Sequence, residues 1–113
     1  MNEQGKAVGP YKVYGQNAFG VWRLSAWGLY DRLRGEGGAV QAAKEMLHDG
    51  CRVAMIVDRD DHVTHMEYWG LAQPRTMKLM AGSYDFFEAM EVYRLLKVRQ
   101  AEKARRQVAK GVW

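Results

Sequence analysis

Acidic residues and histidines of the kind that hold metals or move protons are concentrated in one stretch of the sequence, residues 58–67. The members of this cluster are Asp58, Asp60, Asp61, His62, His65 and Glu67. The first two aspartates and His62 have the spacing of the start of a calcium loop, but the remaining oxygen ligand, the glycine and the distal glutamate are missing. His62 and His65 are three residues apart, so a strand directs them to opposite faces. We therefore expect a solvated turn and a polar strand face, with no metal bound.

His65 and Glu67 are the remaining pair suited to catalysis, because residues two apart on a strand share a face. They could work as an acid–base pair or chelate one ion. Cys51 would need a neighbouring base to act as a nucleophile, and Arg52 is the only charge beside it in the sequence. Strand alternation places Cys51 on the same face as Val53, which predicts a buried structural thiol.

Other catalytic signatures are missing from the sequence. The glycine-rich segment 35–38 lacks the Lys-Ser/Thr ending of a phosphate-binding loop, and neither a serine triad nor a zinc spacing occurs. The sequence accordingly gives no catalytic residue, no metal ligand and no cofactor, and we expect a non-enzymatic protein.

The composition is that of one globular domain covering residues 1–113. Hydrophobic residues make up 48% of the chain and charged residues 27%. With a single cysteine the chain cannot form an internal disulfide. Neither a signal peptide nor an apolar run long enough to span a membrane is visible. We expect a cytoplasmic protein without membrane contact and with a flexible N-terminus over residues 1–10.

The net charge of +4 is distributed unevenly along the chain. Residues 97–110 contain six basic residues and one acidic residue, a net charge of +5, which leaves the remainder at −1. The chain is therefore a near-neutral body followed by a basic helical arm, residues 97–113. Such an arm can follow a phosphate backbone with release of counterions, although a solvated helix end has the same composition. The candidate nucleic-acid contacts are Lys97, Arg99, Lys103, Arg105, Arg106 and Lys110.

A second group of candidates is aromatic. Six of the thirteen aromatic residues fall between residues 11 and 30, with basic residues among them. Aromatic rings beside basic residues on a sheet bind single-stranded nucleic acid, but core packing and cross-strand pairing are alternative roles. The candidates for stacking or for an interface are Tyr14, Trp22, Trp27 and Tyr30.

These residues need a scaffold, and the stretch 51–69 predicts its centre. Two strand-like runs flank an Asp-rich turn, which is typical of an antiparallel hairpin. The first run, 53–57, is apolar on both faces and suits a central strand covered on both sides. The second run, 62–69, is half polar and suits a strand nearer an edge.

Two registers of this hairpin remain open. A two-residue loop places Arg52 opposite Glu67, whereas a three-residue loop at 59–61 places Val57 opposite Val63. Both loop lengths are physically reasonable.

Shorter elements are expected before this hairpin. Residues 11–14 and 20–24 predict a first hairpin around a turn at 15–17. The segment 25–35 has both helical spacing and an interior glycine, and we favour a strand there. Residues 39–48 are strong helix formers, and Asp49-Gly50 ends the predicted helix, with Gly50 placed for a left-handed cap.

After the hairpin, residues 75–81 predict a short helix with Pro74 near its start. A long helix runs from residue 84 to about residue 109, with Ser83 as its N-cap. Its length of roughly 39 Å exceeds a domain of this size, so its far end projects or is covered by a second subunit. Small apolar residues at helical spacing within the arm, which include Val98 and Val108, predict a partner helix and a possible homodimer.

The fold class predicted is therefore α+β. A small antiparallel sheet, in the order β-β-α-β-β, packs with one short helix and is followed by a long C-terminal helix. The small size, the lack of a catalytic set and the basic arm resemble compact accessory proteins of phages and mobile elements, without a shared motif.

Three functions are compatible with these features. The first is a non-enzymatic binding module that contacts nucleic acid (DNA or RNA) or a nucleoprotein through its C-terminal helix. The second is a protein-binding regulator or inhibitor, dimeric, that acts through residues 86–96 or the aromatic hairpin. The third is a small enzyme that uses His65 and Glu67.

Overall fold

The computed structural model describes residues 9–80, 82 and 84–109, with side chains up to residue 106. Within these residues the elements are β1 (Lys12–Asn17), β2 (Trp22–Leu24), α1 (Ala39–His48), β3 (Cys51–Val57), β4 (Val63–Trp69), β5 (Pro74–Lys78) and α2 (Phe86–Ala109). The strands form one antiparallel sheet in the order β2-β1-β3-β4-β5. The predicted α+β fold, with its short and long helices, is confirmed. The predicted flexible N-terminus and the Ser83 cap fall on residues 1–8 and 83, outside the described residues.

The sheet is the middle layer of three, because each helix covers one of its faces. Along β3, Ala54 and Ile56 pack with α1, whereas Val53, Met55 and Val57 pack with α2. All five side chains are buried, at 0–2% exposure. The prediction of a central strand covered on both sides is confirmed.

A bulge in β3 changes the orientation of Cys51. The pairing with β1 moves from Gln16↔Val53 to Asn17↔Cys51, so that Arg52 has no partner opposite it. Cys51 therefore belongs to the core under α1, and the prediction that it shares a face with Val53 was wrong. It is a free, buried thiol, as expected.

The register of the central hairpin combines a predicted pairing with a shift. Val57 pairs with Val63, as the three-residue loop requires, but the next pair is Ile56↔His65. Thr64 is the extra residue of this bulge, and its hydroxyl donates to the Ile56 carbonyl oxygen at 3.3 Å. The alternative with Arg52 opposite Glu67 does not occur.

Strand β5 replaces the short helix predicted over residues 75–81. Its residues complete the outer edge of β4, whose backbone groups a helix would have left unpaired. Pro74 lies at the first position of this edge strand, where the missing N–H is tolerated. Strand β4 lies one position nearer the edge than β3, as predicted, but β5 at the edge and α1 above bury its polar residues.

The segment 25–35 forms turns rather than the predicted strand. Its backbone meets β1 and the residue before it at two points: Ser25 N–H donates to the Val13 carbonyl oxygen at 2.9 Å, and Tyr11 and Tyr30 form an isolated bridge with N···O distances of 2.7 and 2.8 Å. The first hairpin is confirmed, but β1 continues through the predicted turn at 15–17 as far as Asn17. The side-chain oxygen of Asn17 accepts the backbone N–H groups of Phe19 and Val21 and so closes the turn.

Helix α2 extends past the body that it covers. It packs on the sheet through Ala89 and Tyr93, and Gln100 donates to the Trp69 carbonyl oxygen at 3.3 Å. All described side chains after Gln100 are exposed. The principal extents of 51 × 29 × 26 Å reflect this projection. Neither helix of the described residues is long and apolar enough to cross a membrane.

Candidate nucleic-acid interface

The helical period divides the basic residues of α2 between different faces. Side chains at i, i+4 and i+7 share one face of an α-helix, which is the relation among Arg99, Lys103 and Arg106. Lys97 and Arg105 lie on other faces, and the Lys97 ammonium donates to the side chain of Gln100 at 3.1 Å. All five basic side chains are exposed. Lys110, the sixth candidate, lies outside the described residues.

A fourth cation joins this face from the sheet. Arg75, on edge strand β5, lines a cleft of about 360 Å³ together with Arg99 and Lys103. The β4–β5 turn forms one wall of the cleft, and α2 forms the other. The hydrogen bond from Gln100 to the carbonyl oxygen of Trp69 joins the two walls. We call Arg75, Arg99, Lys103 and Arg106 the basic face.

The basic face has one acidic neighbour on α2, Glu102, three residues after Arg99 and four before Arg106. Within residues 9–80, 82 and 84–106, none of its four side chains forms an ion pair; the ion pair present on α2 joins Arg94 and Glu91. Like charges four residues apart, such as Arg99 and Lys103, destabilise a helix slightly. This surface is therefore available to an anionic ligand, whose binding would relieve the repulsion.

The four aromatic candidates are not brought together on one surface. Tyr14 and Trp22 stand edge-on to Phe86, with ring centroids 5.2 and 5.1 Å apart, and so form part of the packing under α2. Tyr30 is buried on the opposite face of the sheet, where Ser25 donates to its hydroxyl oxygen at 2.9 Å. Trp27 is 84% exposed, but it lines a different cavity, beside α1. The basic face thus has none of these four rings.

His65 and Glu67 share a face, as the sequence predicts, but both are closed to solvent beneath α1, at 2% and 0% exposure. The hydroxyl of Thr76 donates to Glu67 Oε2 at 2.5 Å, and Oε1 has no partner. Burial raises the pKa of Glu67, although the Thr76 hydrogen bond and the positive charges of Lys44 and Arg34 oppose the rise.

The environment of His65 favours the neutral ring. Burial lowers its pKa to about 4, and the positive charges of Arg34 and Lys78 act in the same direction. The ring Nδ1 lies 2.9 Å from the hydroxyl oxygen of Thr64. Because that hydroxyl already donates to Ile56, its oxygen accepts from Nδ1–H. This pair therefore forms an internal polar layer between the sheet and α1.

The aspartates of the central turn have a structural role. Asp58 is 2% exposed, and its Oδ1 accepts the backbone N–H groups of Asp60 and His62 at 2.9 and 3.0 Å. Asp61 adopts a left-handed conformation with φ of 64°. No group of three or more potential metal ligands is assembled among the described residues. The turn is closed because the Asp58 side chain accepts hydrogen bonds from backbone N–H groups, which is typical of aspartate in turns.

Sequence reasoning missed Arg75 because the segment 75–81 was predicted to be helical. Residues 75–78 carry no clear period-two pattern, and their exposed and half-buried side chains do not alternate in the structure either. Comparisons with protein-family models, with curated proteins and with solved structures found no match to this chain.

Proposed function

We propose that this protein is a non-enzymatic module that binds nucleic acid, free or within a nucleoprotein, through its basic face. The observation that carries the proposal is the convergence of Arg75 from the sheet with Arg99 and Lys103 from α2 in one cleft, with Arg106 on the same helix face and no ion pair to any of the four among the described residues. Phosphate groups suit such a surface, because basic side chains gain by releasing counterions from the backbone.

The burial of His65 and Glu67 supports a non-enzymatic role. A general acid or base must reach the proton that it transfers, directly or through one water molecule. Neither side chain is open to a substrate beneath α1; Thr64 lies within hydrogen-bond distance of His65, and Thr76 donates to one of the two carboxylate oxygens of Glu67.

The proposal is tested by fluorescence anisotropy with labelled, mixed-sequence oligonucleotides. The double variant Arg99→Glu/Arg106→Glu is expected to abolish binding, since it reverses two of the four charges of the basic face. Arg32→Glu/Arg59→Glu is the matched control, because it makes the same change in net charge at exposed arginines outside α2. Equal affinity of the first variant and the wild type would overturn the proposal, as would equal losses in both variants.

A protein-binding or dimeric role is the second candidate, and an apolar strip on α2 favours it. Phe87, Leu95 and Val98 are 75%, 61% and 52% exposed, at spacings that place them on the side of the helix opposite the sheet. The helix is acidic in its first half and basic in its second, so antiparallel packing of two copies would bring opposite charges together.

Light scattering after gel filtration distinguishes this candidate. A dimer should persist in about 0.5 M salt, where charges are screened within a few Å, and Phe87→Asp should convert it to a monomer. Phe19→Asp is the control, because Phe19 is 90% exposed in the β1–β2 turn. A wild-type protein that is monomeric at about 0.1 mM would argue against the dimeric role.

A further inference from the structure

The cleft between the β4–β5 turn and α2 has an apolar interior as well as a charged rim. Tyr68 and Leu96 contribute apolar surface from the core under α2, and Leu71, which is 67% exposed, contributes it from the turn. The three cations Arg75, Arg99 and Lys103 line the same cleft, which contains no acidic residue among its lining residues. A surface for phosphate alone would need the charges but not the apolar walls.

The turn is built so that a charged side chain lies against it. Gly70 has no side chain, and a Cβ added there would come within 2.8 Å of Arg75 Nε. The backbone N–H of Gly70 donates to the Gln73 carbonyl oxygen at 2.8 Å, which closes the turn. Arg75 stands directly opposite Tyr68 in the register of the two strands. These contacts hold the guanidinium beside the apolar wall.

We propose that the cleft accommodates one nucleotide of a single-stranded nucleic acid, with the base against its apolar walls and the adjoining phosphates on its three cations. The volume of about 360 Å³ is at the lower end of the range for pockets that hold small ligands. A base in a single strand is free to leave its neighbours and present an apolar face, whereas the bases of a duplex are stacked inside. This inference rests on the nucleic-acid function proposed above and specifies the form of its ligand.

If the cleft binds a base, the protein should prefer single strands, whereas a surface that binds phosphates only through its charge should not. Duplex DNA carries the higher charge density, and its binding depends more steeply on salt for each phosphate contacted. A purely electrostatic basic face should therefore bind a duplex at least as well as a single strand. Insertion of a base reverses that order, and we expect about tenfold tighter binding to the single strand.

The experiment compares the affinity of the protein for one end-labelled oligonucleotide of about 15 nucleotides in two forms, as a single strand and as a duplex. Leu71→Ser removes apolar surface from the cleft without changing the charge, and should weaken single-strand binding several-fold while duplex binding stays the same. Leu29→Ser is the matched control, since Leu29 is 56% exposed and lines a different cavity, beside α1. Circular dichroism checks that each variant remains folded.

The possible outcomes separate this inference from the function on which it rests. Tighter single-strand binding that Leu71→Ser reduces and Leu29→Ser does not would support the cleft. Equal binding of both forms, sensitive to salt and lost in Arg99→Glu/Arg106→Glu, would overturn the cleft but leave the proposed function intact. No binding of either form would overturn both. Displacement of the single strand by polyglutamate at the same charge concentration would show a general polyanion surface and also overturn the inference.

Discussion

The two neighbouring cations Lys97 and Arg99 provide a direct test of the basic face. Each carries one positive charge on the exposed surface of α2, but only Arg99 lies on the face shared with Lys103 and Arg106. Replacing either residue with glutamine removes one charge and keeps a good helix former. The two variants therefore have the same net charge and differ in the face that loses a cation.

The expected magnitude follows from the number of cations on the face. Four phosphate contacts give a slope of about −3 for the logarithm of single-strand affinity against the logarithm of salt concentration. Affinity should then fall about 50-fold between about 50 and 200 mM salt. Arg99→Gln leaves three contacts, a slope of about −2 and a loss of about 20-fold over the same range. Lys97→Gln should keep the wild-type slope.

Anisotropy titrations at four or more salt concentrations measure these slopes. The wild-type protein and both variants are titrated with the same labelled oligonucleotide. A Lys97→Gln slope that falls as far as the Arg99→Gln slope would refute the assignment of binding to one face. It would indicate instead that the whole circumference of the arm attracts nucleic acid.

Three further predictions concern the scaffold and are measured as free energies of unfolding in urea. Thr76→Val leaves buried Glu67 without its hydrogen-bond donor and should lower the free energy of unfolding by about 1–3 kcal/mol. Burial already raises the pKa of Glu67, and loss of the hydrogen bond should raise it further, so the cost should grow with pH. An unchanged midpoint of urea unfolding would contradict this prediction. The pKa of His65 is about 4 in the folded protein, against an ordinary value of 6.5, so the unfolded chain binds a proton at this residue more readily. The neutral ring therefore contributes about 3 kcal/mol to the free energy of unfolding above pH 6.5, and this contribution is lost as the pH falls towards 4. His65→Gln should flatten that dependence, and a profile that parallels the wild type would count against it. Gly15→Ala should cost about 1–3 kcal/mol by overpacking, since the added Cβ would lie 2.7 Å from both Cys51 Sγ and Met46 Cε. The Met46 methyl ends a flexible side chain that can move away, so the cost should shrink when Cys51→Ala is added; equal costs in the two backgrounds would assign the overlap to Met46 instead.

The elements that depend on local pattern were predictable from the sequence. Helix α1 was predicted with the bounds observed, and the central strand was identified by apolar residues on both of its faces. Helix α2 was also predictable, because a long stretch without helix breakers specifies a helix regardless of its neighbours. It begins at Phe86, two residues after the predicted start. The uneven charge along this helix was also evident.

Features that depend on neighbouring strands were not predictable in this way. The bulge at Thr64 shifts the register by one residue, and no local signal marks it because its hydrogen bond reaches a residue on another strand. Residues 75–81 have the propensities of a short helix, but the open edge of β4 supplies backbone partners that favour a strand.

The sequence by itself therefore determined helices α1 and α2, the presence of the central hairpin but not its register, and the basic composition of the C-terminal arm, since each of these depends on residues close together in the chain. Only the tertiary structure decided which cations act together. Arg75 and Arg99 are 24 positions apart in the sequence, and they line one cleft because β5 pairs with β4 while α2 crosses the same face of the sheet. The burial of His65 and Glu67 likewise depends on α1 and β5, which cover β4 from above and at its edge.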